Sequence, residues 1–295
     1  MSLVTRPSFV VDYDLSPSMS VEVVLRDNQT ASTERIRLDV GARLGMAITN
    51  VKYCIGYHMR DEYHEYIACP EKTVLTTGFQ CDRCRGRDIL LPCMSCDGSK
   101  CDSIRSKGSE CNTTPTSVYL VQFGDVVKVG VSRTDRLLKR WVEQGAERGI
   151  EVAVAPNGQF ARLAETSISQ GLNLTKSVRL ATKIDSITNG PIQSDLISGL
   201  AVRAFEIAKQ EYPELENGKT RIADLGRYYP KEAGEKPVGL DVMTGKEIIG
   251  EYIGMKGPLF FFRDELNYFF DFRTLKGRLA KPASMKEQLS LTSFA

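Results

Sequence analysis

All eight cysteines of the chain fall in one stretch, as Cys54, Cys69, Cys81-Asp-Arg-Cys84, Cys93-Met-Ser-Cys96, Cys101 and Cys111. Two CxxC pairs stand close together in this run. A CxxC turn presents two thiolates to one ion, and tetrahedral Zn²⁺ takes four such soft donors. The cysteines therefore make two Cys₄ sites with none left over. Cys54, Cys69, Cys81 and Cys84 form the first; Cys93, Cys96, Cys101 and Cys111 form the second. The two histidines, His58 and His64, both lie between Cys54 and Cys69. Either could replace a cysteine, or both could be surface residues with no role. A redox reading would place one CxxC at a helix N-terminus in a thioredoxin-like unit. Both pairs here sit in turn-rich sequence, which favours two structural Zn²⁺ over redox chemistry or an iron–sulfur cluster. The stretch is also too poor in apolar runs to fold by burial alone, so metal supplies the missing stability.

A second constellation follows: Val118-Tyr119-Leu120, Lys128-Val129-Gly130, Lys139-Arg140-Trp141 and Ala164-Glu165. In this order it resembles the GIY-YIG nuclease superfamily, in which a hairpin carries two tripeptides and two later helices carry an arginine and a glutamate. The resemblance implies metal-assisted phosphodiester hydrolysis. It makes Tyr119 a general base or water-positioning group, Arg140 the phosphate clamp, and Glu165 the carboxylate that holds Mg²⁺. Gly130 matches the glycine of the second tripeptide. Two departures stand out: Ser117 replaces the first glycine and Lys128 replaces the second tyrosine. The division of labour is physically sound. A phosphoryl transition state needs a guanidinium fork for its oxygens and a hard cation for its charge, and Mg²⁺ accepts one or two carboxylates while keeping its waters. Each residue also has a plain structural use: Tyr119 as sheet packing, Arg140 and Glu165 as solvated helix charges, Trp141 as core.

The elements that must position these groups can be read from periodicity. Ser8–Val11, Val21–Leu25, Ile36–Val40 and Ala47–Val51 read as strands of an N-terminal β-domain, residues 1–53. Residues 54–115 form the cysteine-rich region. Residues 116–175 form the module: strands 118–121 and 126–131 around a Phe-Gly-Asp turn, a helix from Thr134 to about Ala146, a strand at 150–155 and a helix at 160–172. Residues 176–237 hold a helix over 192–212, stopped by Pro213, and a linker at 230–237. Residues 238–295 return to strands rich in Phe and suggest a small β-barrel-like unit with a polar tail. The fold class expected is α+β.

Basic residues suggest a partner. Arg83 and Arg85 are threaded among the cysteines, Arg133 and Arg136 flank the start of the first module helix, and Lys276 and Arg278 follow the aromatic C-terminal strands. Zinc ribbons and small β-barrels present such residues to phosphates. The formal net charge is only +2, so any nucleic-acid face is local, and a solvated, balanced surface is the alternative. The chain also resembles a prokaryotic group known as domain of unknown function 2797. The cysteine cluster, residues 118–146, Ile253-Gly254-Met255-Lys256-Gly257-Pro258 and Leu275-Lys276-Gly277-Arg278 carry that resemblance, which implies no activity. No apolar run reaches the length of a membrane span and no signal pattern opens the chain, so a cytoplasmic protein is expected. The reading is a zinc-containing nucleic-acid-binding protein, RNA before DNA, for which the GIY-YIG resemblance implies Mg²⁺-dependent phosphodiester cleavage or processing. The alternative is a non-catalytic zinc adaptor.

Overall fold

A computed structural model describes residues 4–59, 65–94, 96–100, 111, 113–188, 195–219, 221–230, 237–241 and 247–283. Four strands open the chain: β1 (Ser8–Leu15), β2 (Val21–Asp27), β3 (Thr33–Leu38) and β4 (Arg43–Lys52). The cysteine region holds two short helices, α1 (Asp82–Arg87) and α2 (Leu91–Met94). The hairpin β5 (Thr116–Phe123) and β6 (Val126–Arg133) leads through a 3₁₀ turn into α3 (Leu137–Gln144). Then come β7 (Arg148–Ala155), α4 (Gly158–Gly171), α5 (Leu180–Thr188), α6 (Ile197–Glu211) and two-residue strands β8 (Glu216–Asn217) and β9 (Ala223–Asp224). The end of the chain gives β10 (Val238–Gly239), β11 (Glu247–Lys256), β12 (Leu259–Arg263), β13 (Asn267–Asp271) and β14 (Arg278–Pro282).

The strands form two sheets. The larger runs β10-β13-β12-β11-β4-β14-β1-β2-β3; the smaller runs β6-β5-β7-β8, with β9 also on β7. The fold is mixed α+β. Strands from the two ends of the chain, expected as an N-terminal domain and a separate C-terminal unit, instead interleave in one sheet. β14 lies between β4 and β1, and β11 pairs with β4 through Ile248↔Met46. Period-two patterning fixes which face of a strand is apolar but not which partner it finds.

Burial explains the two most apolar strands. Every residue of β5 is buried, as are four of the five in β12. A strand covered on both faces reads as a continuous apolar run. In β5, Tyr119, Val121 and Phe123 face a core shared with β1, β11 and β12, whereas Val118 and Leu120 face α4 and α6. Those helices approach on small residues: Ala161 and Ala164 from α4, Ala201 and Ala204 from α6. Asn157 caps α4 by accepting from the Phe160 N–H at 3.0 Å. Helix α5 is an addition to the reading of the sequence, and α6 starts at Ile197 rather than at 192.

Two glycines make room for the module's aromatics. The ring of Tyr119 covers Gly130 on β6, and that of Trp141 covers Gly149 on β7. A Cβ on Gly130 would lie 2.6 Å from the Tyr119 hydroxyl oxygen, and one on Gly149 would lie 2.7 Å from the indole. Tyr119 is 1% exposed and cannot swing away freely. Gly130→Ala is therefore expected to lose about 1–3 kcal/mol, read as a lower urea midpoint at unchanged slope. A wild-type midpoint would show that the ring is not held there.

Candidate functional site

The first four cysteines come together. Cys54 follows β4, Cys69 lies in a turn, Cys81 stands just before α1 and Cys84 lies within it. Their sulfurs all fall within 4.8 Å of one another. Cys54, Cys69 and Cys84 are buried and Cys81 is partly so. Around a tetrahedral Zn²⁺ with Zn–S near 2.3 Å, sulfurs stand roughly 3.8 Å apart. The Cys69 and Cys81 sulfurs are 3.9 Å apart. Four soft donors at this spacing fit one metal ion such as zinc.

The surroundings suit a negatively charged centre. The Cys81 N–H donates to the Cys54 sulfur at 3.2 Å. Burial pushes the Cys54 thiol up to about 11 and raises Cys84 further. Burial also acts to raise Cys69, but hydrogen bonds from the Thr73 N–H and hydroxyl outweigh it and bring that thiol down to about 6. The counter-charge comes from β2, where the Arg26 guanidinium is buried. It donates to the Ile55 carbonyl at 2.8 Å and the Tyr66 carbonyl at 2.6 Å, within the field of Cys54 and Cys69. Only the alternation of β2 could have hinted at Arg26, as a charge directly after the buried run Val23-Val24-Leu25.

His58 is not a member of this group. Its Nδ1 lies 2.8 Å from Asp88 Oδ2 and its ring packs at 4.0 Å from Tyr66. His64 and Cys101 lie outside the described residues. Among the described residues, Cys93, Cys96 and Cys111 do not gather as the first four do. Their stretch is nevertheless fastened to the start of α4. Gln159 Nε2 donates to the Gly98 carbonyl at 3.1 Å and Arg162 to the Cys93 carbonyl at 3.3 Å, and a Cβ on Gly158 would sit 2.8 Å from the Cys111 sulfur.

The second group lies on the inner face of the small sheet. Tyr119 stands opposite Gly130, and Lys128 opposite Val121, so Tyr119 and Lys128 share a face. Gln144, in the last turn of α3, joins them: its Nε2 donates to the Tyr119 hydroxyl at 2.6 Å and its Oε1 accepts from Lys128 Nζ. Burial raises the Tyr119 pKa, Arg140 and Gln144 pull it back, and Glu165 adds to the rise. Burial brings Lys128 down to about 7, with Arg140, Lys183 and Arg162 pushing the same way and Glu165 opposing. Tyr119 and Lys128, from β5 and β6, thus each feel Arg140 of α3 and Glu165 of α4. Arg140 keeps about half its side chain exposed (47%) and reaches Glu143 at 3.8 Å. Glu165 is buried and pairs with Arg162 at 3.4 Å. Sequence reading missed Gln144, whose amide carries no motif, and Lys183, which lies on the unforeseen α5.

The expected phosphate contacts divide. Arg83 pairs with Glu71 at the surface, and Arg85 is exposed. Arg133 pairs with Asp135, and Arg136 with Glu143 at 3.0 Å. Lys276 and Arg278 have partners within the protein. Lys276 Nζ binds the buried Asp12 at 2.6 Å. Arg278 is buried and donates to the Thr274 and Thr49 carbonyls. Both fasten β14 and the loop before it to the large sheet.

The family model described as "Protein of unknown function (DUF2797)" matches residues 41–278. The chain belongs to this family. The match spans the Cys₄ group and the Tyr119–Arg140–Glu165 cluster, as well as the strands β11 to β13, and leaves β1 to β3 outside it. No curated protein and no solved structure matches the DUF2797 chain. No helix among its described residues is long and apolar enough to cross a membrane.

Proposed function

We propose that this chain is a zinc-stabilised nucleic-acid-binding protein, RNA before DNA, that cleaves phosphodiesters at a GIY-YIG-like site. One observation carries the reading: Tyr119 and Lys128, which share a face of the hairpin and the amide of Gln144, each lie within the field of Arg140 and Glu165. The order β6-β5-β7, with α3 and α4 following β6 and β7, supports it.

The residues divide the work as follows. The half-exposed Arg140 takes the non-bridging oxygens of the phosphate. Lys128, beside it and without a carboxylate of its own among the described residues, stabilises charge that develops there. The raised pKa of Tyr119 keeps its proton on, so the phenol positions a water rather than deprotonating it. Gln144 fixes the hydroxyl's direction. Glu165 supplies one hard oxygen donor, which suits Mg²⁺; when bound, the ion would add Lewis-acid stabilisation. Arg162 must release Glu165 for that purpose. Two Zn²⁺ hold the frame, one at Cys54, Cys69, Cys81 and Cys84, the second at Cys93, Cys96, Cys101 and Cys111. The second would stiffen the start of α4, since Arg162 links the Cys93 carbonyl to Glu165.

A specific observation favours a second reading, a non-catalytic adaptor: Glu165 is already paired with Arg162 and the Tyr119 hydroxyl is already taken by Gln144. The test is to incubate the chain with labelled RNA and single-stranded DNA at low salt, with Mg²⁺ or with chelator. Mg²⁺-dependent products, RNA before DNA, are expected. Retention without products selects the adaptor, and no retention at low salt, where phosphate contacts are strongest, defeats both.

A further inference from the structure

The inner face of the small sheet carries more positive charge than the four motif residues need. Tyr119, Val121 and Phe123 project from β5 onto this face, with Lys128 opposite Val121. Lys183, on α5, sits over the next position along: its Nζ is 5.3 Å from the centre of the Phe123 ring. Arg140 acts on Tyr119 at the other end of the row. Residues two apart on a strand are roughly 6.6 Å apart. Arg140, Lys128 and Lys183 therefore gather over this face of the hairpin, each within the field of the other two. Among the described residues neither lysine has a carboxylate within ion-pair distance, and Glu165 is shared with Arg162. Cations held together at partly buried positions repel one another, and a bound anion relieves that cost.

We infer that Lys128 and Lys183 form a second phosphate position beside the one at Arg140, so that the site holds two neighbouring phosphates of a single nucleic-acid strand. The inference rests on the phosphodiester reading only for what the second phosphate is attached to. It explains a use for α5, which brings Lys183 over the end of the hairpin. It also sets the class of substrate: a strand that continues past the scissile phosphate, rather than a mononucleotide.

The titration of both lysines supports the assignment. Burial brings Lys183 down to about 8, with Arg273 and Arg140 lowering it and Asp271 opposing. Lys128, at about 7, feels Arg140, Lys183 and Arg162 against Glu165. An anion between them favours the charged forms and must raise both values. Binding then takes up protons, and affinity falls as pH rises from about 7 to 9.

The test uses the full chain with inorganic phosphate and with a short single-stranded oligonucleotide. Phosphate titrated by calorimetry at pH 7.5 in buffers of different ionisation enthalpy should bind with proton uptake. Lys183→Met should weaken phosphate binding about tenfold, the worth of one charge-assisted contact. It should also lower the slope of log K against log salt for the oligonucleotide by about 0.7, one phosphate contact on a single strand. Lys183→Arg should restore both. Lys183 is partly exposed, and an unchanged circular dichroism spectrum confirms folding. Phosphate binding equal in wild type, Lys128→Met and Lys183→Met marks an adventitious ion only and overturns the inference; so does an unchanged salt slope. Cleavage that survives such a result leaves the nuclease reading standing, and phosphate binding without cleavage leaves the second phosphate position standing.

Discussion

Removing the metal is expected to unfold the cysteine region. Protein purified without added metal should carry two zinc ions by elemental analysis. A strong chelator should then make residues near 54–100 protease-sensitive. The argument is one of missing burial. Among the described residues here, Phe79 and Val74 are exposed, and the buried apolar side chains beside the cysteines Cys54, Cys69 and Cys84 are Ile55 and Leu90. Structural zinc contributes on the order of 10 kcal/mol at neutral pH, as much as a domain's whole net stability. Cys84 is the most telling position, because its side chain is wholly buried among the other three sulfurs. Cys84→Ser should retain one zinc fewer and lose the protease resistance of the region. Without metal, the buried Arg26 would also lose the negative charge it faces. Zinc retention should weaken as pH falls, since protons compete for the thiolates. A single ion would remove the second site and keep the first. No zinc at all, or wild-type resistance in Cys84→Ser, would sink the assignment.

That the first group was legible in the sequence and the rest only in part has physical reasons. A CxxC pair is a local device: the turn that joins Cys81 to Cys84 already sets their separation, so spacing alone nominates two ligands. Cys54 and Cys69 followed by proximity in the chain. The counter-charge Arg26 did not follow, because it arrives from β2 through a fold that brings distant segments together. The same holds for the large sheet. β4 and β11 each announce a strand, yet nothing local says that Ile248 will lie opposite Met46. The partners of Lys276 and Arg278 were hidden for a related reason. A basic residue after aromatic strands looks the same in sequence whether it meets solvent or a buried carboxylate such as Asp12. In the module, hairpin and helices were legible from periodicity because each contact along β5 and β6 is short-range. Gln144 and Lys183 were invisible because an amide and a lone lysine on a nine-residue helix have meaning only once Lys128 is beside them.

The largest functional effect is expected at Arg140. If the cluster cleaves phosphodiesters, Arg140→Ala should lower the rate by about 10² to 10³, the usual loss on removing one donor from developing charge. Affinity should change only by a single phosphate contact. Folding should not suffer, since about half of the side chain is exposed and its Glu143 partner keeps Arg136 at 3.0 Å. The decisive comparison is with Glu165→Gln, because the two readings make opposite predictions there. In a nuclease, the carboxylate is the hard donor for Mg²⁺, and the amide removes metal-dependent cleavage outright. In an adaptor, Glu165 is a negative charge beside the phosphate. Replacing it frees Arg162 from its 3.4 Å pair and leaves Lys128 among cations only, so affinity for a strand at low salt should hold or rise. Assaying wild type and both variants on labelled RNA, with Mg²⁺ and with chelator, separates these outcomes in one experiment. Cleavage that persists in Glu165→Gln at the wild-type rate would remove Glu165 from the site. Cleavage lost in Glu165→Gln but intact in Arg140→Ala would remove the guanidinium clamp and move its work to Lys128, the neighbouring cation on the same face.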